Sequence, residues 1–158
     1  MKESQAISED AKLDSVDEYI IMENNIVTGD IELQQMSHAI IGAAIDVHKI
    51  LGPGLLEKYY RMALAYELRS RGFKAEEEVS MPFVYKDLVI ANACRADIVV
   101  NDQIVLELKA REQYSGLYAS QLLSYLKLSG LKLGLVFNFN QLKLKDGIER
   151  VVNGFIDP

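Results

Sequence analysis

Asp97, Glu107 and Lys109 fall within one short stretch, Arg-Ala-Asp-Ile-Val-Val-Asn-Asp-Gln-Ile-Val-Leu-Glu-Leu-Lys from Arg95 to Lys109. They are the residues of this chain best spaced to do chemistry together. The stretch reads as two apolar strands joined by a polar turn, each broken by charge where a half-buried strand favours Val or Ile. In a hairpin, opposed residues share a face and neighbours along a strand alternate. Pairing Val100 with Ile104 across a three-residue turn, Asn101-Asp102-Gln103, puts Ile98, Val100, Ile104, Leu106 and Leu108 on one wholly apolar face. The other face then gathers Asp97 opposite Glu107 and Arg95 opposite Lys109, flanked by Val99 and Val105. A tighter turn, pairing Val100 with Gln103, mixes the faces and sets Asp97 opposite Leu106, so the wider turn is expected.

Two carboxylates side by side repel unless a cation lies between them or one keeps its proton. Hard oxygen ligands suit Mg2+ or Mn2+, and a lysine two residues past the second acid is placed to orient a water or stabilise developing negative charge. A plainer reading also stands: a hairpin with one solvated face carrying cross-strand ion pairs. Taken alone, these residues favour that plainer reading.

The elements that position this hairpin follow from periodicity. Apolar positions Met36, Ile40, Ala44, Val47 and Leu51, with Ile41 and Ile45 beside them, predict a helix from about Glu32, with Ser37 capping it or lying within it. Gly52-Pro53-Gly54 stops it. A second helix is expected over Leu55 to Arg71, with Leu56, Tyr60, Ala63, Leu64 and Leu68 inward. Glu57 sits in its first turn, where exposed N–H groups favour a carboxylate without any catalytic role. Phe73 to Val84 reads as an edge strand with a solvated acidic run at Glu76, Glu77 and Glu78, and Pro82 fits an edge. Tyr85 to Leu88 makes a turn, and Val89 leads into the strand bearing Asp97. A helix over Leu117 to Ser129 turns Leu122, Leu123 and Leu126 inward and sets Tyr118, Gln121 and Tyr125 on one face. Leu131 to Phe139 alternates as a strand, and residues 145–152 supply a short edge strand.

Several separated blocks carry a resemblance. Gly54-Leu55-Leu56-Glu57-Lys58-Tyr59-Tyr60 matches the G-x-x-E-x-x-Y signature. Before it runs Ile41-Gly42-Ala43-Ala44-Ile45-Asp46-Val47-His48-Lys49-Ile50-Leu51-Gly52-Pro53, and after it Glu107-Leu108-Lys109-Ala110, Gln121 to Leu126 and Gly130 to Asn140. In these blocks the chain, over about residues 37–154, resembles the GxxExxY protein family, a group within the PD-(D/E)XK nuclease-like superfamily. The resemblance implies an α/β fold, the restriction-endonuclease-like αβββαβ core with a mixed central sheet, here with an extra N-terminal helix. It implies a divalent-metal-dependent nuclease cutting DNA or RNA, with Mg2+ or Mn2+ held by Asp97, Glu107 and Glu57. Lys109 would position water or stabilise the phosphate, and Gln121 would orient the lysine or substrate. A backbone carbonyl of Leu106 or Leu108 would complete the shell, and Tyr60 would pack beside Glu57 to fix it. Tyr118 stands where a histidine is expected three residues before Gln121, and a tyrosine of ordinary acidity is a poor base. A non-catalytic module that keeps the nuclease fold and binds nucleic acid or protein is the competing expectation.

Composition sets the remaining bounds. The 158 residues are 49% hydrophobic and 25% charged, ordinary for one globular domain. Cys94 is the single cysteine, which excludes internal disulfides and Cys-built zinc or iron–sulfur centres, and it is expected to be a buried structural thiol. His38 and His48, ten residues apart, are expected to be solvated or capping rather than metal ligands. No apolar run approaches a membrane span and no signal peptide is evident, so a cytoplasmic location without membrane contact is expected. Of 17 basic and 23 acidic residues, residues 1–30 hold two and eight. The rest, 31–158, therefore carries 15 of each sign (17 minus 2, 23 minus 8) and is read as the single nuclease-like domain. Residues 1–30 are read as an acidic, mostly flexible extension that can dock through Tyr19-Ile20-Ile21-Met22. It serves as a solubilising tail, as a fold-back mimic of nucleic acid, or as a site for a protein partner. A neutral body argues for local, metal-assisted contact with nucleic acid rather than a broad phosphate grip, and homodimerisation stays open.

Overall fold

The computed structural model describes residues 28–113 and 115–154. The expectations for the acidic extension concern residues that are largely outside that range. Two helices come first, α1 (Thr28–Leu51) and α2 (Glu57–Ser70). Strands β1 (Ala75–Tyr85), β2 (Leu88–Val100) and β3 (Ile104–Lys109) follow, then α3 (Leu117–Ser129), β4 (Leu133–Asn138), a 3-10 turn (Leu144–Gly147) and β5 (Ile148–Val152). The sheet runs β1-β2-β3-β4-β5. All pairs are antiparallel except β3–β4, which α3 joins as a parallel crossover. The αβββαβ core is therefore α2 through β4, with α1 added before it and β5 closing the far edge. Among the described residues no helix is long and apolar enough to cross a membrane.

Two apolar layers flank the sheet. On one face Ile40, Ala44 and Val47 of α1 and Leu64 and Leu68 of α2 pack against Ile98, Val100, Ile104, Leu106, Leu108, Leu135 and Phe137. On the other, Leu122 and Leu126 of α3 pack against Ala96, Val99, Val105, Val136 and Val151. Full burial of each of these two leucines stabilises by roughly 1.5–3 kcal/mol. Gly134 in β4 permits this contact: a Cβ there would lie 2.8 Å from Leu122.

The hairpin register is the expected one, with Val100 opposite Ile104, Val99 opposite Val105 and Ile98 opposite Leu106. Asn101 and Asp102 take positive φ in the turn, and Gln103 N–H closes it onto the Val100 carbonyl at 2.9 Å. Two features depart from strict alternation. Ala75 packs in the α1/α2 layer whereas Val79 and Met81, of the same parity, pack under α3; likewise Ile98 and Ala96 lie on opposite sides. Both strands thus swivel at the Glu78–Asp97 level, where Glu78 takes φ 51. Arg95 is carried away with them and pairs with Glu78 at 3.6 Å, rather than joining Lys109.

Other expectations need correction. Leu56 lies before α2 and is 66% exposed, and Leu51, at the end of α1, is also exposed, because the chain turns away from the core there. Cys94, expected to be buried, is only half-buried, on the α3 side, because β2 has swivelled there. His48 is buried rather than solvated; its Nε2 lies 2.8 Å from the Gln141 carbonyl, tying α1 to the loop after β4. The Glu76 to Glu78 run does lie on an edge strand, but it is paired: Arg61 reaches Glu77 and Glu78 at 3.4 Å, and Lys74 reaches Glu76 at 2.9 Å.

Candidate active site

The swivel of β2 determines what happens beside Glu107. Regular pairing of β2 with β3 stops at Ile98–Leu106. The next inward-facing donor of β3, the Leu108 N–H, is taken instead by the Asp97 carboxylate at 2.8 Å. The side chain of Asp97 thereby continues the ladder where its backbone has left it. This holds the carboxylate against the end of β3, next to Glu107, on the face that α3 covers.

Glu107 is only 4% exposed. Burial, and after it the negative charge of Asp97, push its carboxyl up to about 8. Burial also raises Asp97, against the opposing pull of the Leu108 N–H. Lys109 is the nearest cation; its Nζ stands 4.0 Å from Glu107 Oε2 and 4.9 Å from the centre of the Tyr118 ring. Tyr118 is therefore a platform for the lysine ammonium, in place of the expected base.

Glu57 reaches the same place from the other layer. Its position is set by the turn before α2. Gly54 takes φ 106, and the Tyr60 hydroxyl donates to the Gly52 carbonyl at 2.5 Å while accepting the Leu55 N–H at 3.1 Å. Tyr60 is fully buried and stacks on Phe139, centroids 4.5 Å apart. The G-x-x-E-x-x-Y spacing thus has a physical grammar: a left-handed glycine, an acid on the first helical turn, and a tyrosine one turn later that locks the turn. Burial raises the Glu57 carboxyl and Asp97 raises it further, while Lys109, Arg111 and Arg61 oppose. Glu57 also adds to the upward push on Glu107.

Among the described residues no three His, Cys, Asp or Glu side chains form a ready-made metal cage. The assembled part is the Asp97–Glu107 pair, which Glu57 faces at electrostatic range. The pair fits a hard divalent cation on its own evidence: Glu107 Oε1 is buried and accepts no hydrogen bond from the protein. An orphaned buried acceptor costs about 1–3 kcal/mol, and a cation between two carboxylates removes both that cost and their repulsion.

Gln121 is exposed, and its amide donates to the Tyr125 hydroxyl at 3.1 Å instead of meeting Lys109. Tyr125 is half-buried; burial and then the charge of Glu107 raise its phenol. Gln121 is thus linked to the acids through Tyr125, a residue that sequence reasoning put on the right face without a role. Asn138 is a second omission. Fully buried at the end of β4, it accepts the Arg111 N–H at 3.1 Å and donates to the Arg111 carbonyl at 2.9 Å. With the Phe139 N–H on the Lys109 carbonyl at 2.8 Å, this fixes the chain as it leaves the lysine. The available signal was a lone amide in the apolar run from Leu133 to Phe139. Arg61, whose charge bears on both Glu57 and Asp97, is a third omission.

Searches of curated proteins and of solved structures returned no match. A model of the PD-(D/E)XK nuclease superfamily, whose nucleases generally use divalent metal ions, matches residues 34–151. That span runs from within α1 to within β5 and takes in Glu57, Asp97, Glu107, Lys109 and Gln121, so the chain belongs to the PD-(D/E)XK nuclease superfamily.

Proposed function

We propose that this chain is a divalent-metal-dependent nuclease, a GxxExxY-type member that hydrolyses phosphodiester bonds of DNA or RNA with Mg2+ or Mn2+. The observation that carries the reading is the pair of half-buried Asp97 and buried Glu107, one oxygen of the latter without a protein partner, with the Lys109 ammonium beside it. Asp97 and Glu107 would hold the ion. When bound, it would supply Lewis-acid activation of water and charge neutralisation at the scissile phosphate. Lys109, steadied over Tyr118 and by the Asn138-anchored backbone, orients the attacking water and meets the charge that builds on the phosphate oxygens. Glu57 sets the negative field opposite the pair. Arg111, which bears on Glu57, supplies a local cation for the substrate backbone in an otherwise neutral body.

The test is incubation of the full chain with single-stranded, duplex and structured DNA and RNA in Mn2+. The expected result is cleavage abolished by chelation and reduced at least about 100-fold in Lys109→Ala, whose melting temperature stays that of the parent. No Lys109-dependent cleavage of any substrate refutes it. The lack of a ready-made three-acid cage among the described residues favours a second reading, a binding module that retains the fold; it requires substrate binding without turnover.

A further inference from the structure

The hairpin that joins β1 to β2 extends past the body of the protein. Residues 82–93 are exposed without exception, between buried Met81 and half-buried Cys94. At its base the register shifts between Met81 and Phe83, and Asn92 takes φ 55, a break that re-aims the ribbon away from the sheet. Beyond it Phe83 pairs with Ile90, Val84 with Val89 and Tyr85 with Leu88. The first and third pairs share a face, which carries Phe83, Tyr85, Leu88 and Ile90 at 39–57% exposure. The opposite face shows Val84 and Val89. A two-stranded ribbon with no covering layer is marginal in water, and natural sheets put Lys, Pro or short length where a strand must stay unpaired. This ribbon instead displays six large apolar side chains on both faces.

We infer that this arm is a homodimerisation element, in which the Phe83/Tyr85/Leu88/Ile90 face packs on the same face of a second copy of the chain. Charge selects the occupant. Within residues 82–93 the charged groups are Lys86 and Asp87, which cancel. Such an arm neutralises no phosphates, so neither a nucleic-acid backbone nor an anionic lipid surface is its complement. The acidic stretch at residues 1–30, with eight acids to two bases, meets a single cation there and gains no electrostatic complementarity. A second copy, by contrast, offers the same apolar quartet about a two-fold axis, pairing aromatic with aliphatic side chains as facing sheet surfaces do. Area agrees. Four side chains of this size, each about half exposed, offer roughly 400 Å², the size of the largest apolar patch on a typical monomer, which is often functional. Doubled across the axis, with the flanking backbone, the total reaches about 800–1,000 Å², the size of weak, transient interfaces. A weak, reversible dimer matches that size.

Sedimentation equilibrium of the full chain tests this independently of any nuclease activity. The weight-average mass should climb from 17.8 kDa toward twice that value as concentration rises. Ile90→Asp, which puts a carboxylate at the centre of the patch, should raise the dimer Kd at least about 100-fold. Its circular dichroism and melting temperature should match the parent, and Ile90→Leu should keep the dimer. Tyr85→Asp, nearer the tip, is the second variant should Ile90→Asp fold poorly. A parent chain that stays monomeric up to about millimolar concentration overturns the inference. So does a dimer of parent affinity in a folded Ile90→Asp or Tyr85→Asp variant. Association seen only with added duplex DNA and lost in those variants assigns the arm to nucleic acid and equally refutes it.

Discussion

Replacing Glu107 by glutamine removes the carboxyl whose ionisation the fold opposes most strongly. Burial, reinforced by Asp97, moves it from 4.5 to about 8. Between those two pH values the folded chain keeps a proton that the unfolded chain has released. Stability therefore falls as pH rises through the window, is complete below about 4.5 and is level above about 8. Asp97 and Glu57 are raised as well and add slope of the same sign. Each tenfold change in proton affinity is worth about 1.4 kcal/mol, so the displacement of Glu107 corresponds to roughly 5 kcal/mol. That is a large part of the about 5–15 kcal/mol that holds a domain of this size together. Glutamine keeps the shape of the protonated acid and cannot ionise. Glu107→Gln should match the parent near pH 5 and exceed it by several kcal/mol near pH 8.5, read from urea unfolding midpoints. On the proposed reading, adding Mg2+ to the parent should restore much of the loss at high pH, where the ion would offset the buried negative charge of the ionised pair, and below about pH 8 it would have to displace the Glu107 proton. Affinity should then rise close to tenfold per pH unit below about pH 8. A parent midpoint that stays constant from about pH 5 to 8.5, or a slope unchanged in Glu107→Gln, refutes the reasoning.

Two further outcomes follow from packing and hydrogen bonding. Tyr60→Phe keeps the stack on Phe139 but strips the hydroxyl from the Gly52 carbonyl and the Leu55 N–H; it should cost about 1–3 kcal/mol and speed amide exchange at Gly52 and Leu55, and parental exchange there would sink the turn-lock argument. Gly134→Ala sets a methyl 2.8 Å from Leu122 and should cost about 1–3 kcal/mol by thermal or urea melts; the penalty should shrink in a Leu122→Ala background, and purely additive losses would contradict direct contact.

Sequence periodicity made most of the architecture legible, because the main elements obey the rule that reads them. The Leu117 to Ser129 helix has the expected bounds, and the Asn101 to Gln103 turn closes the register that an all-apolar face demanded. What escaped was tertiary. Nothing in the residue pattern announces that β1 and β2 rotate together at Glu78 and Asp97, since parity continues unbroken while the facing layer changes. That one event sends Arg95 to Glu78 and Cys94 to the α3 side. Leu56 fails for a related reason: it fits the helical stripe, yet it precedes the first turn that the tyrosine lock permits. Asn138 and His48 owe their roles to carbonyls supplied by segments far along the chain, Arg111 and Gln141.

The same rotation accounts for where the site lies. A hairpin that stayed paired to its end would satisfy the Leu108 N–H from backbone and leave the charged face flat under α3. Because β2 departs early, an opening forms at the end of β3, and the side chain that spans it is an aspartate, whose carboxyl replaces the missing ladder acceptor beside Glu107. The opening lies at the boundary between layers, so the first turn of α2, which covers the opposite face, brings Glu57 within electrostatic reach of both acids. Lys109 is in turn fixed by two constraints of different origin, the Tyr118 ring from α3 and the Asn138 clamp from β4. Five elements thus meet where one ladder fails, and the unfavourable features of the spot share that cause: a raised Glu107, an orphaned Oε1 and an interrupted strand pair. A fold selected for stability alone gains nothing from this arrangement, whereas a bound cation resolves the electrostatic part of it at once.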